Sequence, residues 1–390
     1  LFQAGNAWKA LAGFFLSGLL LSLPGAFLPV WRYHLTEDYF TAGNHFLAMN
    51  LGIYASLGVV RLLERRGLAL LLTVACGLAC TGLVVLGFQP LAGSAWWPMS
   101  CLFVVGCAAG LLNIGVFRAI TPLYRYDPAA TINLGGAMFG AGSVVMALMV
   151  AGTYYVYTVS STLVLVAVLP AFFIPVYARA RFASEDAARH VSVRKSLAEY
   201  HSPAAVLFAL LLFFQFGNEW AVAGWLPLFL IHRIGISPES SEFMLATYWA
   251  ALLVGRVLVF SILPRVRSGR LLMWSVLAAL FGCLILISTN NRFGAVVGIL
   301  LVGGGFASVY PLVAERIGGR FPDYHPGSFN GIFSLALTGG MLAPWSLGLF
   351  TSLWGVRVAM VLPLFGTLMV CLLLVLLWAE AKFGRSRRLE

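Results

Sequence analysis

Charge is what this sequence has least of. Only 10% of its 390 residues are Asp, Glu, Lys or Arg, against about 25% in a soluble domain. That shortage excludes a disordered chain, a nucleic-acid binder and an ordinary soluble enzyme. Acidic residues are the scarcer sign, at 14. Cysteine is sparse too. The six, at 76, 80, 101, 107, 283 and 371, lie inside apolar runs without zinc spacing, so they form neither a disulfide framework nor a metal centre. The His residues at 34, 45, 190, 201, 232 and 325 are scattered and make no ligand set. No metal and no cofactor is expected. No Gly-Lys-Ser/Thr follows any glycine run, which argues against a phosphate loop and an ATP-driven pump. The ten-residue alternating segments of an outer-membrane barrel are missing as well.

What is present is long apolar sequence. Hydrophobic residues make up 61% of the chain. Twelve runs approach or exceed the roughly 20 residues that a helix needs to cross a bilayer: 8–31, 42–61, 68–88, 97–117, 131–152, 160–178, 204–231, 243–263, 270–288, 294–314, 328–350 and 357–378. The first is too long for the apolar core of a secretory signal and reads as a span. The expected fold is an all-α membrane protein of twelve transmembrane helices in two six-helix bundles. Residues 1–178 form the first bundle, 179–202 a linker, and 203–390 the second bundle with a basic tail. The linker is the longest polar stretch.

The net charge of +11 follows from topology. With an even number of spans both termini share a side. All but five of the 25 Lys and Arg fall on that side. Arg32, Arg233, Arg292 and Arg357 lie on the other, and Arg256 lies within a span. The positive-inside rule then makes both termini cytoplasmic, in a cell inner membrane. Trp31, Trp96, Trp97 and Trp354 near the external span ends fit an interfacial belt. The basic charge needs no nucleic acid or other anionic partner; the lipid bilayer is the partner, and a monomer is expected.

The halves echo each other. Arg61–Gly67 and Pro264–Arg270 are tight basic turns between long apolar runs. Asn133 and Asn330 each open a span that continues Gly-rich, with Gly140 and Gly142 in one and Gly339 and Gly340 in the other. Repeated six-helix halves are the build of one large transporter class. Gly106, Gly110, Gly115 and Gly303–Gly305 serve as close helix contacts or as sliding surfaces between moving halves.

Glu219 is the charge out of place. It sits near the middle of the seventh span, where a carboxylate is costly unless paired or protonated. It is a candidate carrier of a proton or sodium, a hydrogen-bond acceptor for a solute, or a fixed structural partner. Gln215, Asn218 and Trp220 lie within one turn of it and Trp225 lies farther on. Gln215, Asn218 and Glu219 are expected to share a face. The remaining acidic residues fall in loops, tails or span ends. Weaker binding candidates are Asn113, Asn133, Tyr248, Trp249 and Asn330, since amides and aromatic planes suit a polar ring. Arg256 and Arg118 are gate candidates, with Glu64 or Glu315 as partners.

These features together resemble the major facilitator superfamily. Gly58-Val-Val-Arg-Leu-Leu-Glu64-Arg-Arg-Gly67 is similar to its loop motif between spans two and three, in weakened form. Phe216-Gly-Asn-Glu219-Trp220, Tyr248-Trp-Ala-Ala-Leu-Leu-Val-Gly-Arg256 and Phe306-Ala-Ser-Val-Tyr-Pro-Leu-Val313 resemble the fucose–galactose–glucose permease group. The resemblance implies a secondary transporter, not an enzyme, that moves a small polar solute such as a sugar by alternating access, as a symporter where coupled. The proton-coupled fucose members carry acids in spans one and four. This chain has none in the first and Asn113 in the fourth, so coupling falls to Glu219 or to sodium. Two rivals remain: an exporter of amphiphilic drugs, lipids or metabolites, and a non-transporting membrane receptor or scaffold. A membrane-embedded enzyme lacks its acid–base pair or nucleophile.

Overall fold

The computed structural model describes residues 4–35, 38–63, 66–88, 96–121, 128–182, 202–262, 265–321 and 331–386. Among the described residues there are twelve helices long and apolar enough to cross a membrane and no strand. A helix pairs every backbone amide within its own segment, which a hydrocarbon environment demands. In chain order they are α1 (Ala4–Leu35), α2 (Tyr39–Leu63), α3 (Leu68–Gly87), α4 (Trp96–Ala119), α5 (Pro128–Thr153) and α6 (Val159–Ala178). Then follow α7 (Pro203–Ile234), α8 (Pro238–Ile262), α9 (Ser268–Ser288), α10 (Arg292–Arg320), α11 (Gly331–Trp354) and α12 (Val361–Ser386). α10 consists of two segments that meet at Ser308.

Local chemistry sets the ends. The Asn291 side chain accepts the Gly294 N–H (2.7 Å) at the start of α10, and Thr158 accepts the Ser161 N–H (3.2 Å) at the start of α6; each caps an orphan donor. Gly235, at φ 72°, closes α7 in the left-handed region that favours glycine. The expected spans are recovered with one consequential difference. α8 begins at Pro238 rather than 243, with Ser237 Oγ accepting the Ser240 N–H (3.3 Å). The run Glu239-Ser-Ser-Glu242 is too polar to read as span, yet it is helix, and Glu242 is fully buried. Trp31 also departs from the belt. It is 1% exposed and sits edge-on to His45, with ring centroids 4.9 Å apart.

Packing repeats at half the chain. α1 packs on α5, α2 on α4, α3 on α4 and on α6. α7 packs on α11, α8 on α10, α9 on α10 and on α12, which is the same pattern six helices later. Single glycines carry the echo. Gly142 of α5 lies against the Phe15 carbonyl of α1, and Gly339 of α11 against the Phe213 carbonyl of α7. Gly106 of α4 lies against Met49 of α2, and Gly303 of α10 against the Tyr248 carbonyl of α8. These glycines pack within a half, as Gly110, Gly115 and Gly305 do. Of the two readings offered for them, close helix contact is the one these positions support. The two sets of six meet through α2 on α11, α5 on α8, and α1 on α7.

A methyl group at Gly142 or Gly339 would collide with backbone, and overpacking of this kind costs about 1–3 kcal/mol. Gly142→Ala and Gly339→Ala are expected to lower the unfolding midpoint in detergent by several degrees. Gly304→Ala, which has open space at the Cβ position, leaves it unchanged. Intrinsic fluorescence during heating reads both.

Candidate functional site

Eight helices, four from each half, enclose a cavity of ≈160 Å³ between the halves. α1, α2, α4 and α5 supply one wall, and α7, α8, α10 and α11 the other; α3, α6, α9 and α12 stand outside it. The polar wall groups include Asn50, Asn113, Glu219, Arg256 and Tyr310. Trp220 and Phe residues at 14, 46, 117, 139, 216 and 333 provide aromatic surface. An engineered apolar cavity of about 150 Å³ holds a benzene-sized ring, so this space suits a solute of one six-membered ring.

Glu219 stands almost equidistant from the two ends of α7. It is half-buried and forms part of the cavity wall. One turn earlier, Gln215 donates its Nε2–H to Glu219 Oε1 (2.8 Å). Tyr248 of α8 donates its hydroxyl to the Glu219 carbonyl (3.3 Å), fixing the backbone behind the carboxyl. Arg256 also lines the wall. It is 7% exposed, and its Nη1 donates across the seam to the Gly136 carbonyl of α5 (2.6 Å). The cavity therefore holds one acid and one base, each tethered by a neighbour.

The cavity is closed on one side. Call the terminal face the one where α1 begins. At the opposite face the halves interlock. Trp345 Nε1 of α11 donates to Asn44 Oδ1 of α2 (3.1 Å), while Trp225 Nε1 is held within its own half by the Pro344 carbonyl (2.9 Å). Phe46 stacks on Trp225 at 6.3 Å, and the Tyr39 hydroxyl meets His232 Nε2 at 3.3 Å. Gly25 lies against Ala223, and Gly43 against Gly348. The wall residues Phe14, Phe117, Ile132, Tyr310 and Phe333 belong to the terminal-face halves of their helices, so the cavity extends toward that face.

A family model described as Major Facilitator Superfamily matches residues 129–341, just over half of the sequence. The chain belongs to the Major Facilitator Superfamily. Members of this superfamily are transporters rather than enzymes. A putative glucose/galactose transporter of Helicobacter pylori is 24% identical over 178 residues, 45% of this chain and 42% of the relative. The chain thus matches less than half the length of its curated relatives. Among solved structures, the E. coli fucose:proton symporter superposes with a TM-score of 0.66 at 14% identity, covering 95% of this chain and 98% of that one. A nucleoside transporter gives 0.71 at 14% identity, covering 95% and 99%. At such identities the likeness is one of fold.

The superfamily fold sorts the candidate residues. Glu219, Trp220, Asn113 and Arg256 are in the cavity wall. Asn218 is not. It turns toward α12, with its Nδ2 3.4 Å from Thr367 Oγ1 and Gly366 pressed against its amide. One residue of helix rotates a side chain by about 100°, so Asn218 does not share the face of Gln215 and Glu219. Gln215 supports Glu219 from behind, fully buried. Trp225 belongs to the opposite-face closure. Tyr248 is a backbone brace, and Trp249 backs Trp220 with ring centroids 6.0 Å apart. Asn133 is half-buried on α5 outside the wall.

The gate candidates separate in the same way. Arg118 lies at the end of α4 outside the cavity wall. Glu315 is exposed on α10, with Arg316 as a charged neighbour. Arg256 ties the halves through a backbone carbonyl rather than through a carboxylate. Asn330 and Glu64 lie outside the described residues. Sequence reasoning missed Asn50, Tyr310 and the Phe lining. Among the described residues no cluster of His, Cys, Asp and Glu is able to hold a metal.

Proposed function

We propose that this chain is a secondary transporter that moves a small polar solute, a sugar or sugar-like metabolite, by alternating access. Glu219 is the coupling carboxyl for a proton or sodium. One observation carries the reading. A ring-sized cavity, closed at one face, brings Glu219, Asn50, Asn113 and Trp220 together from both halves. Amides and a carboxyl serve hydroxyl groups, and the indole plane serves the apolar face of a sugar ring. The glucose/galactose name of the relatives and the fucose:proton name of a fold neighbour agree with it. Residues 1–178 and 203–390 move as two bodies tethered by 179–202. The distribution of basic residues puts the termini in the cytoplasm of a cell whose inner membrane holds the protein as a monomer.

The test is counterflow in proteoliposomes. Vesicles loaded with unlabelled galactose are expected to accumulate labelled galactose transiently, with glucose competing. The six Phe residues of the wall favour a second reading, an exporter of amphiphiles. Competition by tetraphenylphosphonium with no competition by sugars selects that one. Absence of counterflow with sugars and cations alike selects a receptor or scaffold.

A further inference from the structure

α8 carries a second intramembrane acid that the cavity does not use. Glu242 is 0% exposed, and neither of its carboxyl oxygens has a hydrogen-bond partner among the described residues. Its position follows a pattern. Glu242, Trp249 and Arg256 are spaced by seven residues, two helical turns, and so fall on one stripe of α8, each about 10 Å of rise from the next. Each holds a buried polar atom left unsatisfied among the described residues: both Glu242 oxygens, Trp249 Nε1 and Arg256 Nε. The stripe starts near the opposite face and ends in the cavity wall.

The stripe faces the seam between the halves. Arg256 bonds Gly136 of α5, Gly140 of α5 lies against Leu253, and Trp249 meets Phe139 at 6.1 Å. Continuing this antiparallel register places Glu242 level with Val150 and Ala151 of α5, both buried. That is the part of the seam that must part when the opposite face opens.

We propose, on the alternating-access reading above, that Glu242 is a proton-binding site served from the opposite face. It is sealed as the neutral acid in the present conformation and exchanges its proton with water when the α5–α8 seam opens. A bare carboxylate without partners is not sustained at such a site. A metal cation needs several ligands, and among the described residues Glu242 belongs to no group of three or more His, Cys, Asp or Glu; a proton needs one carboxyl. The helices packed on α8 are α1, α5, α7 and α10. α5 contains no titratable residue, and Tyr154 follows it. α7 offers His232, Arg233 and, at mid-span, Glu219. Arg233 is committed to the Ile287 carbonyl (3.1 Å). α10 offers Arg292 at the same end and Tyr310, Glu315, Arg316 and Arg320 at the other. α1 offers Lys9 at the far end; the side chains of Arg32, Tyr33 and His34 lie outside the described ones.

The experiment uses the full chain in lipid nanodiscs with the proton as probe. Spin labels at Tyr157 and Ser237, exposed at the opposite-face ends of α5 and α8, report the seam in a background without the native cysteines. Raising the pH from 6 to 9 is expected to shift the wild-type distances toward separation, by up to about tenfold in the open-to-sealed ratio per pH unit for one proton. Glu242→Gln removes the response and stays sealed. Glu242→Asp retains it. The infrared band of a protonated carboxyl in the sealed state disappears in Glu242→Gln. A wild-type seam indifferent to pH overturns the proposal even where the variant does not fold, and so does a Glu242→Gln seam that responds like wild type. The readout needs no solute. A pH-driven seam without counterflow defeats the transport reading alone, and counterflow with a pH-blind seam defeats the Glu242 site alone.

Discussion

Glu219→Gln is expected to abolish gradient-driven accumulation while solute exchange across the vesicle membrane persists. The substitution keeps the volume and the hydrogen bond to Gln215 (2.8 Å), and it leaves the backbone brace from Tyr248 in place. What it removes is the ability to bind and release a cation. Rocking between the two conformations with a bare carboxylate in the cavity wall is costly, because the charge loses water at each passage. A bound proton or sodium lifts that barrier, and a neutral amide lifts it permanently. The variant therefore equilibrates its solute and stops at an internal-to-external ratio of one. The measurement is uptake of labelled galactose into proteoliposomes under an imposed cation gradient, with counterflow in the same preparation as the control. Accumulation equal to wild type defeats the coupling role and leaves Glu219 as a structural or solute-binding group.

The prominence of Glu219 was legible because a charge in the middle of an apolar run has few bland explanations. The twelve spans were legible for a related reason: hydrocarbon thickness dictates their length, and the basic turns mark their limits. The walls of the cavity were not. A soluble helix betrays its buried side through alternation of polar and apolar residues, but a membrane helix is apolar toward both lipid and protein. Asn50 and Asn218 look alike in sequence, yet one faces the cavity and the other faces α12. The difference is a rotation about the helix axis that no composition records. Glu242 was hidden by its neighbours. A segment holding Glu239, Ser240 and Ser241 reads as a loop, and its helical character becomes evident only once Ser237 is seen capping it.

Gly25→Ala is expected to move the conformational equilibrium rather than the stability of the fold. Gly25 lies directly against the Ala223 carbonyl in the opposite-face closure, so an added methyl group collides only while the two halves are in contact there. A penalty of about 1–3 kcal/mol confined to the sealed state shifts the balance toward the open one by roughly 5- to 150-fold. Asn44→Cys, at the Trp345 contact of the same closure, becomes correspondingly more reactive toward a membrane-impermeant thiol reagent added at that face. Gly142→Ala makes a chemically similar collision between α5 and α1. Those helices belong to one half and remain packed in both conformations, so the penalty falls on both alike; the melting temperature drops while the reactivity of Asn44→Cys stays unchanged. The pair separates a moving seam from a static one. Should Gly25→Ala also lower only the melting temperature, the α1–α7 contact is permanent, and rocking of the halves about the cavity is not how this chain works.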